Sequence, residues 1–469
     1  MKRRTKIVCT LGPAVDSKEK IAALIEAGMN VARLNCSHGT WETREKWIQW
    51  IRELNTDISP VAILVDLQGP KFRVGDIAGG QIELTVGQTV TVGRGPEIEI
   101  PILQDEILKV MAAHGRLLLG DGEIELRILS GADGEFKAKV VTGGILRSKK
   151  GVTLVGKVFD VPALTVKDIE DVQEAVKHAP DFIALSYVKH AADIRELRRT
   201  IDRLDKSIQI CAKIETREAI KDLDNILKVV DIVMVARGDM GLQMDIEDVP
   251  LMQKRIISQC TNAGKPVITA TQMLESMIAN PRPTRAEATD IANAVLDGTD
   301  ALMLSAETAS GAYPIECVKT MVRIAEKAEG HFDSSGVEKA FHERLKHGVS
   351  HTDAIAHAVS DLASLIKPHA ILTITTSGQT SRLVSKFRPK APILCGTSSR
   401  RTLGQMAIVW GVEAIHIPVA STTEDTIHNA IDEFFRHRRV KHKDMLIITA
   451  GVPSGVPGNT NLIQTEIVK

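Results

Sequence analysis

The chain has 469 residues, too many for one ordinary domain and enough to bury a sizeable core. Lys and Arg total 59, Asp and Glu total 59, and the formal net charge is zero, which excludes nucleic-acid or membrane-surface binding driven by bulk charge. Aromatic residues are 3% of the chain, too few for base-stacking platforms. The six cysteines show no CxxC spacing and fall mostly in apolar runs, which predicts buried thiols in a reducing compartment. The first residues, MKRRTKIVCTLGP, have a basic start but too short an apolar run for a signal peptide. No stretch has the length and apolarity of a membrane helix. The expectation is a soluble, cytoplasmic protein without nucleic-acid or membrane partners.

Apolar β-rich runs alternate with amphipathic helical segments from the start. The first runs are KIVCTL from Lys6, NVARLNC from Asn30 and VAILVDL from Val61. Between the last two lies WETREKWIQWIREL, whose Trp41, Trp47 and Trp50 recur at helical spacing and predict packing rather than a ligand box. Residues 68–161 change texture to IELTVGQTVTVG, EIELRILS and EFKAKVVTGG, which predicts short antiparallel strands. The alternation then resumes with FIALSY from Phe182, IQICAKI from Ile208, DIVMVAR from Asp231, PVITAT from Pro266 and ALMLSAE from Ala301. Eight such units predict an α/β fold, a closed (β/α)8 barrel formed by residues 1–67 and 162–335. Residues 68–161 then form an inserted, β-barrel-like lid domain on the C-terminal face, where barrel active sites lie. After a polar connector, residues 346–469 read as a C-terminal α/β domain with strands from Ala370, Ala391, Ala414, Met445 and Leu462.

The most informative stretch runs from Lys213 to Asp239. In AKIET, Lys213 and Glu215 point to the same side of a strand. In ARGDMG, Asp239 follows a second apolar run, with Gly238 and Gly241 on either side. A hard divalent cation takes carboxylate oxygens plus substrate oxygens, and a lysine beside it offsets charge on a transferring phosphoryl group. In a barrel, other strand ends converge on the same face. They bring Arg33, Asn35, Ser37 and His38, then Asp66 and Arg73, then Arg237, Thr271, Ser305 and Glu307. Arg237 and Glu307 are equally readable as buried ion-pair members.

RLNCSHG at Arg33, DLQGPKFR at Asp66, AKIE at Lys213, ARGDMG at Asp239 and the long TATQMLESMIANPRPTRAEATDIANAVLDGTDALMLSAETASGAYP segment together resemble the pyruvate kinase family over nearly the whole chain. The resemblance implies a barrel, a lid inserted after the third strand and a C-terminal α/β domain. It implies transfer of a phosphoryl group from phosphoenolpyruvate to ADP, giving pyruvate and ATP. Glu215 and Asp239 would bind Mg2+ or Mn2+, and Lys213 would stabilise the phosphoryl in flight. Arg33, Gly238, Asp239 and Thr271 would contact substrate, with Thr271, Ser305 or an ordered water in the proton relay to the enolate. Arg73 and Lys150 would hold nucleotide phosphates, with Asn35 and His38 on the nucleotide side.

The family's monovalent-cation region maps onto Asn35, Ser37, Asp66 and Leu67. Here Lys71 replaces an acid beside it, and an ammonium supplies the charge potassium supplies elsewhere, so K+ is expected to be unnecessary. In the C-terminal domain TTSGQTS, with Thr375, Thr376, Ser377, Gly378, Gln379, Thr380 and Ser381, links a strand to a helix and predicts a phosphate cradle for a phosphorylated effector. An N-capped turn is the plain alternative. The family also implies a homotetramer. Two other readings use the same residues: a magnesium-dependent, enolate-stabilising barrel lyase or mutase, and a non-catalytic metabolite sensor.

Overall fold

The computed structural model describes residues 3–95, 97–120, 122–156, 161–346, 348–451 and 460–469. Eight parallel strands close into a barrel in chain order. They are β1 (Lys6–Thr10), β2 (Val31–Asn35), β3 (Ala62–Asp66), β4 (Phe182–Leu185), β5 (Gln209–Ile214), β6 (Ile232–Ala236), β7 (Val267–Ala270) and β8 (Ala301–Leu304). Both faces of each strand are covered, which is why the runs are almost continuously apolar. Along β3, Ile63 and Val65 join the cluster beneath the helices, while Ala62 and Leu64 join the cluster of the barrel interior. All six cysteines are buried and unpaired in disulfides.

The tryptophan segment is the helix Trp41–Leu54, with Trp47 buried and its indole donating to Asp16 at 2.8 Å. The polar connector contains the helix Ser335–Leu345. Two strand ends differ from the sequence reading. β6 stops at Ala236, so Arg237 and Asp239 belong to the helix Arg237–Gln243. β8 stops at Leu304, so Glu307 sits on the turn Ala306–Ala309. In both places the polar residues leave the sheet where the strand reaches the open end of the barrel, because a charged side chain inside the packed interior would be costly.

Between β3 and β4 the chain forms a six-stranded sheet and a two-stranded ribbon, the latter pairing Gly144–Arg147 with Gln81–Leu84. This region has its own core, including Val90, Leu117, Leu126 and Phe136. The C-terminal sheet comprises β9 (Ala370–Ile374), β10 (Ile393–Thr397), β11 (Val412–His416), β12 (Met445–Gly451) and β13 (Thr460–Ile467). Its order is β11-β10-β9-β12-β13, with β13 antiparallel to β12. The Gly-rich segment between those strands falls outside the described residues from position 452 to 459.

The C-terminal domain docks on the N-terminal end of the barrel. The Lys6 ammonium donates to the Val412 carbonyl at 2.6 Å, and Arg388 pairs with Asp300 at 2.9 Å. The backbone N–H of Ser59 donates to Ala414 at 2.8 Å, and Arg401 donates to Pro180 at 2.6 Å. The opposite end of the barrel is left to the inserted domain. Among the described residues no helix is long and apolar enough to cross a membrane.

Candidate active site

The C-terminal ends of the barrel strands and the facing edge of the inserted domain enclose a cavity of about 250 Å³. Nine of the sequence-predicted residues line it: Arg33, Asn35, Ser37, His38, Leu67, Lys71, Lys213, Glu215 and Asp239. The inserted domain contributes Leu118, Gly151 and Thr153 to the opposite wall.

Lys213 is the centre of the polar network. Its ammonium donates to Ser186 Oγ at 2.7 Å and lies 2.9 Å from Glu215 Oε1 and 3.6 Å from Asp66 Oδ1. Glu215 Oε2 accepts the Tyr187 backbone N–H at 2.9 Å. Asp66 Oδ2 accepts Arg33 Nε at 2.7 Å, and Arg33 Nη1 donates to Thr10 Oγ1 at 2.9 Å. Asp66 is 1% exposed and Glu215 5%, so these charges survive only through one another.

The electrostatics follow from that packing. Burial opposes the charge of Lys213, but Asp66, Glu215 and Asp239 outweigh it and hold the ammonium well above the usual lysine range. Burial also opposes the Asp66 carboxylate, yet Lys213 and Arg33 keep it below the usual range. Glu215 behaves differently. Burial, reinforced by Asp239, pushes it up to about 7 against the pull of Lys213. His38 is lowered, first by burial and then by Lys71 and Arg73, so cations converge at this mouth of the cavity.

Neither Asp66 Oδ1 nor Glu215 Oε1 accepts an aligned hydrogen bond; each has only the Lys213 ammonium beside it. Buried carboxylate oxygens left with spare capacity mark a place for a further cation. Among the described residues no set of three or more His, Cys, Asp and Glu forms a ready-made metal cage. Glu215 has such an oxygen, and the exposed Asp239 lines the same cavity, so this pair suits a hard ion such as magnesium or manganese that keeps water and substrate oxygens in its shell.

Thr271 and Ser305 do not line the cavity. The Thr271 hydroxyl donates to Ala270 O at 2.6 Å and accepts the Gly238 N–H at 2.8 Å, so it fixes the start of the Asp239 turn. Thr271 has φ 69°, an unusual conformation for a β-branched residue that indicates stored backbone strain, and Gln272 follows at φ 53°. Arg237 holds that bend: it donates to Thr271 O at 2.6 Å and pairs with Asp290 at 2.7 Å. Glu307 accepts the N–H groups of Leu274 and Ser305 at 3.1 and 2.6 Å. Glu307 is therefore a buried strut of the rim and Arg237 a partly buried one. Arg73 bridges to Gly151 and donates to Lys149 O at 2.9 Å, and Lys150 lies 4.0 Å from Glu123; both sit beside the cavity wall.

In the C-terminal loop, Thr375 Oγ1 accepts the Gly378 N–H at 3.0 Å, and Gly378 has φ 78°, a left-handed bend that favours glycine. Thr380 and Ser381 turn inward to Thr460 and Thr373, each at 2.7 Å. Gln379 opens the helix Gln379–Ser385. Thr376 is exposed and Ser377 half-buried, so the outward part of the loop is short.

Ser186 and Tyr187 line the cavity and were not singled out by the sequence reading, although both close the FIALSY run as Lys213 and Glu215 close theirs. A polar residue ending a barrel strand was the available signal. Thr10, which orients Arg33, carried the same signal at the end of β1.

Family models agree with this architecture. One described as "Pyruvate kinase, barrel domain" matches residues 2–318, and one described as "Pyruvate kinase, alpha/beta domain" matches residues 353–465. The chain belongs to the pyruvate kinase family. The pyruvate kinase of Geobacillus stearothermophilus is 43% identical over 477 residues, covering 100% of this chain and 81% of the relative. Those of Sporosarcina psychrophila and Staphylococcus aureus strain MRSA252 are 42% and 43% identical, covering 99% of this chain and 80% of each relative. As a member of this family the chain is an enzyme of the phosphotransferase class. Its barrel and C-terminal α/β domain are those the family descriptions name.

Proposed function

We propose that this chain transfers the phosphoryl group of phosphoenolpyruvate to ADP, giving pyruvate and ATP as a glycolytic enzyme. The observation that carries the reading is the Lys213 ammonium 2.9 Å from Glu215, in one cavity with Asp239 and Arg33. The bond between phosphorus and the enol oxygen breaks, a bond from the ADP terminal phosphate oxygen to phosphorus forms, and an enolate is left. Lys213, kept charged by its three acidic neighbours, balances the negative charge that develops on the phosphoryl and enolate oxygens. Glu215 and Asp239 would hold Mg2+ or Mn2+, which supplies Lewis-acid stabilisation of the same charges. Arg33, oriented by Asp66 and Thr10, would contact the phosphoryl group of the substrate. The methylene carbon of the enolate then takes a proton. Thr271 and Ser305 stand behind the cavity wall, so a relay through them needs an intervening water. Arg73 and Lys150, on the lid side, would hold the nucleotide phosphates. Closure of the inserted domain would keep water from intercepting the phosphoryl.

Lys71, exposed and lining the cavity together with Asn35, Ser37 and Leu67, is assigned the role of monovalent cation in the region that Asp66 completes. We assign the loop Thr375–Ser381 to a phosphorylated activator, held chiefly by Thr376, Ser377 and backbone N–H groups, and expect a homotetramer. The test is ATP formation from phosphoenolpyruvate and ADP with magnesium in buffer free of sodium and potassium. Turnover there, with little gain on adding potassium, is the expected result. A large rise with potassium would overturn the Lys71 assignment, and absence of ATP under all conditions would overturn the reaction.

A further inference from the structure

Ser186 lies where the inserted domain leaves the barrel. It is 5% exposed, and its hydroxyl donates to the Leu67 carbonyl at 2.7 Å. A carbonyl cannot donate in return, so the serine proton is committed there. Its oxygen is then free only to accept, and it accepts the Lys213 ammonium at 2.7 Å. Leu67 is the first residue after β3, hence the start of the outgoing linker. Two residues on, Gly69 has φ 68°, and a Cβ there would lie 2.8 Å from Ser186 Cβ. The linker therefore presses directly on Ser186, and only glycine allows it.

A second group holds the same linker from the other side. Asp168 is fully buried, and its Oδ1 accepts the Gly69 N–H at 3.0 Å. Its Oδ2 accepts the Thr165 N–H at 2.9 Å and the Thr165 hydroxyl at 2.6 Å. Thr165 caps the helix Val166–Lys177, at the point where the chain has returned from the inserted domain to the barrel. One carboxylate thus staples the outgoing linker to the returning one.

We propose that Ser186 is a positioning residue that ties the aim of the Lys213 ammonium to the lid hinge, with Asp168 clamping the two linkers that form that hinge. A shift of Leu67 moves the serine's acceptor, and with it one of the ammonium's close partners, while Glu215 stays in place. The inference rests on the phosphotransfer reading for its kinetic readout and on the hinge alone for its exchange readout.

The experiment compares the full-length parent with Ser186→Ala, Asp168→Asn and the double variant. Ser186→Ala should lower kcat about tenfold to a hundredfold, the scale of a small misplacement of a reacting group, with little change in either KM. Asp168→Asn should lower kcat as well, and the double variant should be no worse than the worse single, because both act through one hinge. Amide hydrogen exchange of residues 66–69 should quicken in Ser186→Ala whether or not the parent turns over. Should Ser186→Ala fail to fold, Ser186→Cys, of similar volume but a weak donor and acceptor, carries the same expectations. A Ser186 variant with the parent's kcat, unchanged exchange at the linker, or effects of Ser186 and Asp168 that multiply would each overturn the proposal. A parent that makes no ATP but shows the exchange change would refute the reaction assignment and leave the hinge intact.

Discussion

The two ends of the barrel both bury charge, and they do so for opposite purposes. At the N-terminal end the charges are spent on docking. Arg388, whose side chain is 1% exposed, pairs with Asp300 and donates to Gly298 O at 2.7 Å, and Asp300 also accepts the Trp410 N–H. Lys6 is likewise consumed by the Val412 carbonyl. At the C-terminal end the network is deliberately incomplete. Lys213, Arg33, Asp66 and Glu215 satisfy one another only in part: Asp66 Oδ1 and Glu215 Oε1 accept no aligned hydrogen bond, and Arg33, Lys213 and Glu215 line a cavity. At the docking face both Asp300 oxygens are engaged, Oδ2 by the Val267 N–H at 2.9 Å, and the spare group is a donor, Arg388 Nε, whereas at the other end the spare groups are carboxylate oxygens, which is what a cation needs.

The contrast predicts separable effects. Arg388→Leu leaves Asp300 buried without its cation and should cost about 3–5 kcal/mol of stability, read by denaturant unfolding, while kcat per folded molecule holds. A loss of turnover with intact stability would blur the distinction between the ends. Lys213→Met is read in turnover instead: kcat per folded molecule should fall about 10²–10³-fold, the scale for removing one preorganised charge-stabilising donor, on top of the stability lost by leaving Asp66 and Glu215 buried without that ammonium. Full turnover in that variant would end the catalytic assignment. Glu215→Gln keeps the shape but removes a charge, and the magnesium concentration for half-maximal rate should rise by about tenfold or more. An unaltered magnesium titration would separate Glu215 from the metal.

A separate, pH-dependent effect concerns Lys6. Burial, with a further push from Arg3, lowers it from 10.5 to about 7 in the folded chain. Between those values the unfolded chain binds the proton and the folded chain does not, so Lys6 makes stability rise with pH from about 7 to about 10.5. The melting temperature of the parent minus that of Lys6→Met should therefore climb between pH 7 and pH 9, within the window set by burial. A flat difference would mean that water reaches this part of the docking face.

Much of this was legible in the sequence because the barrel is built from runs whose chemistry is local. Continuous apolar strands can only be covered on both faces, and the polar residues closing them have one place to go. That logic found Lys213, Glu215, Asp66 and Arg33. It left Arg237 and Glu307 open between site residue and buried ion-pair member. Arg237 does pair with Asp290, while Glu307 accepts backbone amides, which only the packing of distant segments reveals. Ser186 was overlooked because a serine after an apolar run carries no charge signal. Asp168 reads as an ordinary capping residue, and its bond to Gly69, 99 positions away in the chain, is invisible to any local pattern. The inward turn of Thr380 and Ser381 was hidden for the same reason: their partners Thr460 and Thr373 come from other strands.

The central claim is that Glu215 and Asp239 meet around one divalent cation within reach of Lys213. Anomalous scattering from crystals grown with manganese and phosphoenolpyruvate tests it most directly. The account predicts a single strong peak in the cavity, within about 2.0–2.6 Å of an oxygen of each carboxylate. A peak held by other residues, or bound to only one of the two acids, would contradict it.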